Sequence, residues 1–340
     1  MPPPKAAATA CPTWVATSRL DLHRYLPERQ DHQIVDGDRS AYRSPFRVDG
    51  DRYHPPMDRG RVARLFTQSY SDGVYTRRPD QVVVEEPLEI RLDEVAVTTT
   101  MRTPGHDFEL AVGFCLSEGL LVDAPVRSCR YCATGSALAA RFNVVTVDTG
   151  GLAPAPNPRI SSTTSSCGLC GVASIEALTA RLSVLAPSAS IPVRHLVSAP
   201  AVLRKTQPLF DLTGSIHGAA VLDPSGHLLV AREDIGRHNA VDKVVGRLSL
   251  DGSLPATGHI LVVSGRASLE MVQKAWAGGF SALVSVSGPS GLAVNTARAA
   301  GLVLAGFVRD GGLNLYSGRF VDPVAPDTEP SVVGGDHPKD

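Results

Sequence analysis

Ile260-Leu261-Val262-Val263-Ser264-Gly265-Arg266-Ala267-Ser268 is an unbroken apolar tetrad running into a Ser/Gly turn. Four aliphatic residues with no polar alternation read as a short strand buried on both faces. A helical pattern follows over 269–276, then a strand over 283–286, a helix over 292–302 and a strand over 303–308. Strands alternating with helical runs of roughly ten residues predict an α/β layered domain with a largely parallel portion. Working outward, 214–223 and 227–233 read as strands joined by the turn sequence Asp223-Pro224-Ser225-Gly226. Val241, Val244, Val245 and Leu248 then mark a helix at 3.6 spacing.

The first half has a different texture. Leu88, Ile90 and Leu92, then Val95, Val97 and Thr99, alternate with polar residues and, with 82–84 ahead of them, predict a strand meander. Thr103-Pro104-Gly105-His106-Asp107 breaks the alternation and starts a helix with Phe108, Ala111, Val112, Cys115 and Leu116 on one face. Cys115 is expected to be a packed core thiol. Short strands are expected around 127–131 and 142–148, and the proline-rich stretch 150–158 as a loop. Residues 1–75 are rich in Pro, Arg and Asp without sustained periodicity, so an unstructured leader is expected, with Met57 a candidate start and order beginning near Asp80. The division that results is a leader (1–75), a strand-rich part with one helix (76–165), an α/β part (166–320) and a disordered tail (321–340).

Composition excludes several classes. The formal charge of −1 and 43% hydrophobic content call for neither nucleic acid nor a membrane surface. No apolar run is long enough to span a bilayer, and the N-terminus lacks a secretory pattern, which reads as cytoplasmic. Six cysteines in 340 residues are too few for a disulfide scaffold. Lysine is scarce (Lys5, Lys205, Lys243, Lys274 and Lys339), so a lysine inside a motif draws notice.

Two thiols carry the sharpest chemistry. In Ser165-Ser166-Cys167-Gly168-Leu169-Cys170-Gly171, glycines flank both sulfurs and an amphipathic run (Val172, Ile175, Leu178, Leu182) follows. A helix start beside a cysteine favours thiolate, which is both nucleophile and metal ligand. Sulfur carrier, half of a zinc site and structural bridge all stay open on spacing alone. Cys129 and Cys132 form a second CxxC, so a tetrathiolate zinc site is an alternative, although the gap to Cys167 exceeds the usual spacing.

Ligands in open α/β sheets collect where strands end and helices begin. Ser264-Gly265-Arg266 and Ser287-Gly288-Pro289-Ser290-Gly291 occupy such junctions and could present backbone N–H groups to phosphates, or simply make tight turns. The densest polar run, Arg232-Glu233-Asp234-Ile235-Gly236-Arg237-His238-Asn239 with Asp242-Lys243, reads either as a solvated face or as a ligand site. In the second reading Arg237 and Lys243 pair with pyrophosphate and Asp234 accepts from guanine. His217, inside an apolar strand, is more often a core histidine but could point into the same cleft. No zinc-deaminase HxE…PCxxC pattern and no hydrolase triad order is present.

These stretches together resemble the FdhD family of accessory sulfurtransferases required for formate dehydrogenase activity. The resemblance is carried by Glu85-Glu86-Pro87-Leu88-Glu89-Ile90, by Thr103 to Phe114, and by Ser166-Cys167-Gly168-Leu169-Cys170-Gly171. It continues through Glu233 to Lys243, Ser264-Gly265-Arg266 and Gly306-Phe307-Val308-Arg309-Asp310. It implies a cytidine deaminase-like layered mixed sheet flanked by helices, preceded by a smaller strand-rich N-terminal part, and a homodimer. It also implies that a cysteine desulfurase loads a persulfide on Cys167, with Cys170 assisting. The acceptor is then the bis-guanine-dinucleotide molybdenum (or tungsten) cofactor destined for formate dehydrogenase, with no permanent cofactor on the carrier itself. Phe307, Val308, Arg309, Asp310, Gly311 and Gly312 fall where the family contacts that acceptor; Asp234, Arg237, His238, Lys243, Ser264, Gly265 and Arg266 complete the expected site. The alternatives are a non-covalent cofactor chaperone and a zinc-organised binding protein.

Overall fold

The computed structural model describes residues 60–131, 142–156, 182–185 and 191–319, and the backbone of a short strand at 13–15. Cys132, Cys167, Cys170, Met57, most of the leader, the helix expected after Cys170 and the tail from 321 lie outside the described residues.

A six-stranded mixed sheet forms the larger layer. Strands β10 (Ile260–Val263), β11 (Ala282–Ser285) and β12 (Val303–Arg309) are parallel, as the tetrad and its followers predict. β8 (His217–Leu222), β9 (Leu228–Asp234) and β13 (Gly312–Ser317) add antiparallel strands, giving the order β13-β12-β11-β10-β8-β9. The lack of alternation in β10 has its reason in two buried faces. Leu261 and Val263 pack with α4 (Arg237–Leu250), α5 (Leu269–Ala277) and α6 (Gly291–Ala300), whereas Ile260 and Val262 pack with α2 (Val193–Arg204). Helix α2, with Pro200 inside it, and the short α3 (Pro208–Thr213) are not legible in the apolar pattern. Pro200 argues against helix locally in α2, and burial of Leu196, Ala199 and Leu203 against the sheet overrides it, whereas Pro208 opens α3 at the first helical position, where proline is well suited.

The smaller layer is a five-stranded sheet, β1-β6-β7-β4-β5, in which β1 is Thr13–Val15. β4 (Glu86–Leu92) and β5 (Val95–Arg102) pair antiparallel, and β7 (Val144–Asp148) lies parallel to β4 and antiparallel to β6 (Ser128–Tyr131). Helix α1 (Asp107–Ser117) covers it with Leu110, Ala111, Val112 and the fully buried Cys115. The coarse expectation of a mixed α/β sheet flanked by helices with a smaller strand-rich N-terminal part holds.

Order begins earlier than Asp80. β2 (Val62–Ser71) and β3 (Val74–Val83) form a two-stranded ribbon, so residues 82 and 83 belong to it and not to the meander. Most of its side chains face solvent, which leaves no apolar period to read, but Asp72-Gly73 at its turn, with φ of 50° and 83°, is a strong hairpin signal.

Helices α1 and α4 cross where two glycines meet. A methyl group on Gly113 would overlap the Asp242 carbonyl, and one on Gly246 the Glu109 carbonyl. This backbone contact joins the two layers.

Candidate functional site

All four candidate stretches gather at one end of the six-stranded sheet. The parallel strands β10, β11 and β12 end there; because β8 runs antiparallel to β10, it begins there, and β9 ends beside it. His217, Asp234, Ser264, Ser287 and Phe307 are therefore brought to a common edge by strand direction, though they are spread over ninety residues of sequence.

The turn after β10 is held from below. The Ser264 hydroxyl accepts from Gly218 N–H at 2.9 Å and lies 3.4 Å from His217 Nδ1. Ser285 donates its hydroxyl toward two carbonyls, Gly265 at 2.7 Å and Ser287 at 2.8 Å, so one side chain ties both turns. Ala267 and Pro289 bridge them as well. Gly265 sits against His217 and Arg237, where an added Cβ would lie 3.6 Å from the imidazole. Over the second turn lies the Phe307 ring, 44% exposed, at a residue with φ of 52° whose N–H donates to the Ser287 carbonyl. Its ring occupies the space a side chain on Gly288 would need.

The dense polar run divides into two sets with different work. Arg237 and His238 stand in the first turn of α4, Arg237 against Gly265 of the first turn and His238 against Glu270. The Arg237 Nε is buried and has no hydrogen-bond partner among the described residues. His238 Nε2 pairs with Glu270 Oε2 at 2.7 Å, and that bond, more than any other influence, lowers the Glu270 carboxyl. His217 is held below the ordinary imidazole value, chiefly by burial and then by the nearby Arg237 guanidinium. It is therefore neutral near pH 7 and able to accept a proton or a hydrogen bond.

Asp234 and Lys243 require a correction: neither faces the cleft. Both side chains are fully buried, and Lys243 Nζ lies 2.6 Å from Asp234 Oδ2 and 2.9 Å from the Thr103 carbonyl it donates to. The remaining Asp234 lone pairs accept from Thr103 N–H, Gly236 N–H and Asn239 Nδ2. With every polar atom engaged inside, the pair fastens the 100–109 segment to the start of α4 instead of reaching guanine or pyrophosphate. Val308 is likewise buried, among the apolar side chains beneath α2. Arg309, Asp310, Gly311 and Gly312 form the exposed turn between β12 and β13, with Asp310 and Gly311 at positive φ. Arg266 is exposed at the rim.

The fastening network also holds residues that motif reading overlooks. Arg102, fully buried, donates in a fork to Asp107 at 3.0 and 2.9 Å. Arg232 does the same to Glu109 at 2.6 and 2.7 Å. Although burial works to raise it, the Glu109 carboxyl is held down to about 2 by the hydrogen bonds from Arg232 and His106. Glu233 accepts from the N–H groups of Leu209 and Phe210 at the start of α3. Asp242 pairs with Lys274 at 2.8 Å inside the core. The available signal was the context of Asp242-Lys243, a charged pair set between Val241 and Val244-Val245, which marks burial and not a solvated face.

Cys129 is fully buried in β6, and burial pushes its thiol up to about 12. Its neighbours are Leu, Ile and Val side chains of the smaller core, an environment that disfavours the thiolate a metal ligand must be. No group of three or more metal-ligating side chains occurs among the described residues, and no helix there is long and apolar enough to cross a membrane.

Comparison with known proteins agrees with the architecture. The chain is 47% identical over 256 residues to the sulfur carrier protein FdhD of Streptomyces avermitilis, covering 73% of this chain and 91% of that one. It is 45% identical to the FdhD of Corynebacterium efficiens over 72% and 91% of the two chains. For the Mycobacterium tuberculosis FdhD the figures are 44%, 73% and 93%. A crystal structure from Desulfotalea psychrophila, of a protein put forward as a formate dehydrogenase accessory protein, superposes with a TM-score of 0.61 at 22% identity. That match spans 77% of this chain and all of the other, and establishes a common fold. The FdhD/NarQ family pattern matches residues 83–320, most of the chain and every stretch gathered at the strand ends, and the chain belongs to that family.

Proposed function

We propose that the chain carries sulfur as a persulfide on Cys167, from a cysteine desulfurase to the bis-guanine-dinucleotide molybdenum (or tungsten) cofactor that formate dehydrogenase requires. Membership of the family supports the sulfur-carrier role linked to formate dehydrogenase. The observation that carries the finer reading is the convergence of four Ser/Gly- and Arg-bearing junctions on one sheet end, with an unpartnered, buried Arg237 Nε among them. A guanidinium at a strand end is suited to a phosphate oxygen. The two Ser/Gly turns add backbone N–H groups, and Phe307 offers an apolar face for a flat ring system.

The sulfur step is a thiolate exchange. Cys167 as thiolate attacks the outer sulfur of the donor's persulfide, the donor cysteine leaves as thiolate, and the outer sulfur now sits on Cys167 with no net oxidation. Cys170 assists the exchange. Ser264, Gly265, Arg266, Arg237, His238 and the 307–312 turn hold the acceptor, the whole working in the cytoplasm. We place the larger sheet and its helices with the cytidine deaminase-like folds, a kinship of architecture without deaminase chemistry.

Intact-protein mass spectrometry after incubation with a desulfurase and cysteine is the direct test. Added sulfur on Cys167, absent in Cys167→Ala, is the expected result. Full formate dehydrogenase maturation by Cys167→Ala would instead favour a non-covalent chaperone. A zinc-organised protein is disfavoured by the apolar burial of Cys129.

A further inference from the structure

Two polar side chains at the strand-end edge keep an uncommitted nitrogen among the described residues, Arg237 Nε and His217 Nε2. The other histidine there, His238, is already spent on Glu270 at 2.7 Å. His217 is half-buried at the first position of β8, and its two ring nitrogens are not equivalent. The Ser264 hydroxyl makes them different. Ser264 is tied to β8 twice, its N–H donating to the Gly218 carbonyl at 3.0 Å and its hydroxyl oxygen accepting from Gly218 N–H at 2.9 Å. The hydroxyl proton then needs an acceptor, and the one within reach among the described residues is His217 Nδ1 at 3.4 Å. A neutral imidazole has one donor and one acceptor nitrogen. With Nδ1 accepting, the ring proton sits on Nε2.

Gly265 adds a second observation. A methyl group built there would stand 3.6 Å from the His217 ring and 3.7 Å from Arg237 Cδ, which is ordinary contact, and its φ is not positive. Gly113 and Gly246 are glycine because backbone stands in the way; at Gly265 neither collision nor strain demands it. The missing side chain leaves a gap flanked by an imidazole and the stem of a guanidinium.

We propose that His217, as the Nε2–H tautomer, donates a hydrogen bond to a phosphate oxygen of the acceptor beside Arg237. The inference rests on the acceptor-binding reading above and gives it a specific donor. Arg237 supplies charge, and His217 supplies direction without a second fixed charge. Ser264 holds the acceptor through His217, as a positioning residue, because its one proton is directed to Nδ1 and none is left for a phosphate.

The test is calorimetric titration of the full chain with guanosine diphosphate and with inorganic pyrophosphate. His217→Leu is expected to weaken both about 10- to 100-fold with an unchanged melting temperature. His217→Gln, whose amide N–H stands in for the imidazole donor, should stay within about threefold of the parent. Nitrogen NMR of histidine-labelled protein, assigned with His217→Gln, reads the tautomer without any variant having to bind. It should show Nε2–H in the parent, a shift of that signal on adding guanosine diphosphate, and a mixture of tautomers in Ser264→Ala. A parent with its proton on Nδ1, or with a charged ring at pH 7, would overturn the proposal. So would a His217→Leu protein that binds both probes like the parent, or a folded His217→Gln as weak as His217→Leu. A parent that binds neither probe overturns the acceptor-binding reading as well, which separates the two failures.

Discussion

Single side chains divide into those that hold the molecule and those that face the cleft. Arg237 belongs to the second kind, so its truncation should leave stability alone. With guanosine diphosphate as probe, Arg237→Ala is expected to weaken binding about 10- to 100-fold by calorimetry, the size of one charge-assisted hydrogen bond, with an unchanged melting temperature. Lys243 is the opposite case. Lys243→Met leaves Asp234 buried and uncompensated, which should cost about 3–5 kcal/mol in urea unfolding. Glu109 supplies a pH signature. Its carboxyl titrates near 2 when folded and near its ordinary 4.5 when unfolded, so its contribution is complete above pH 4.5 and drains away as the pH falls toward 2. The difference corresponds to about 3 kcal/mol, and Glu109→Gln should remove both that stability at neutral pH and the slope across the acid window. Urea midpoints at pH 7 and pH 3 for parent and variant would show it.

Elements were legible where burial was one-sided or complete, and obscure where it was neither. Leu88, Ile90 and Leu92 alternate because β4 has one covered face, and the run 260–263 is continuous because β10 has two. The ribbon at 62–83 buries almost nothing, so the apolar pattern is mute and only Asp72-Gly73 announces it. Helix α2 hides behind Pro200. The cleft was legible as a set of strand-end turns, since Gly and Ser at such junctions are local signals; the inward turn of Asp234 and Lys243 was not, because their partners at Thr103 lie about 130–140 residues upstream. Packing between elements sets a sharp limit at Gly113 and Gly246. Either residue changed to Ala forces α1 and α4 apart and should destabilise by more than the ~1–3 kcal/mol of ordinary overpacking, because the obstacle is backbone carbonyl and not a side chain that can turn away. Thermal melts of Gly246→Ala, against Gly291→Ala, where an added methyl meets nothing and φ is not positive, would measure it.

For the molecule as a whole, two layers are tied by polar groups that neither layer could satisfy alone. Arg232 reaches from the larger sheet to Glu109, and Asp234 to Thr103, while α1 lies on α4. Opening one layer would strand these groups unpaired, so residues 83–319 are expected to unfold in one transition, with calorimetric and van't Hoff enthalpies in agreement. Two separate transitions would show that the tie is weaker than its geometry. The two buried ammonium groups also make a built-in reporter. Lys243 and Lys274 are sealed in the interior, while Lys205 lies open at the end of α2. An acylating reagent should therefore mark Lys205 at once and leave the sealed pair silent until the interior is breached, so their labelling time course would clock the opening of the native state.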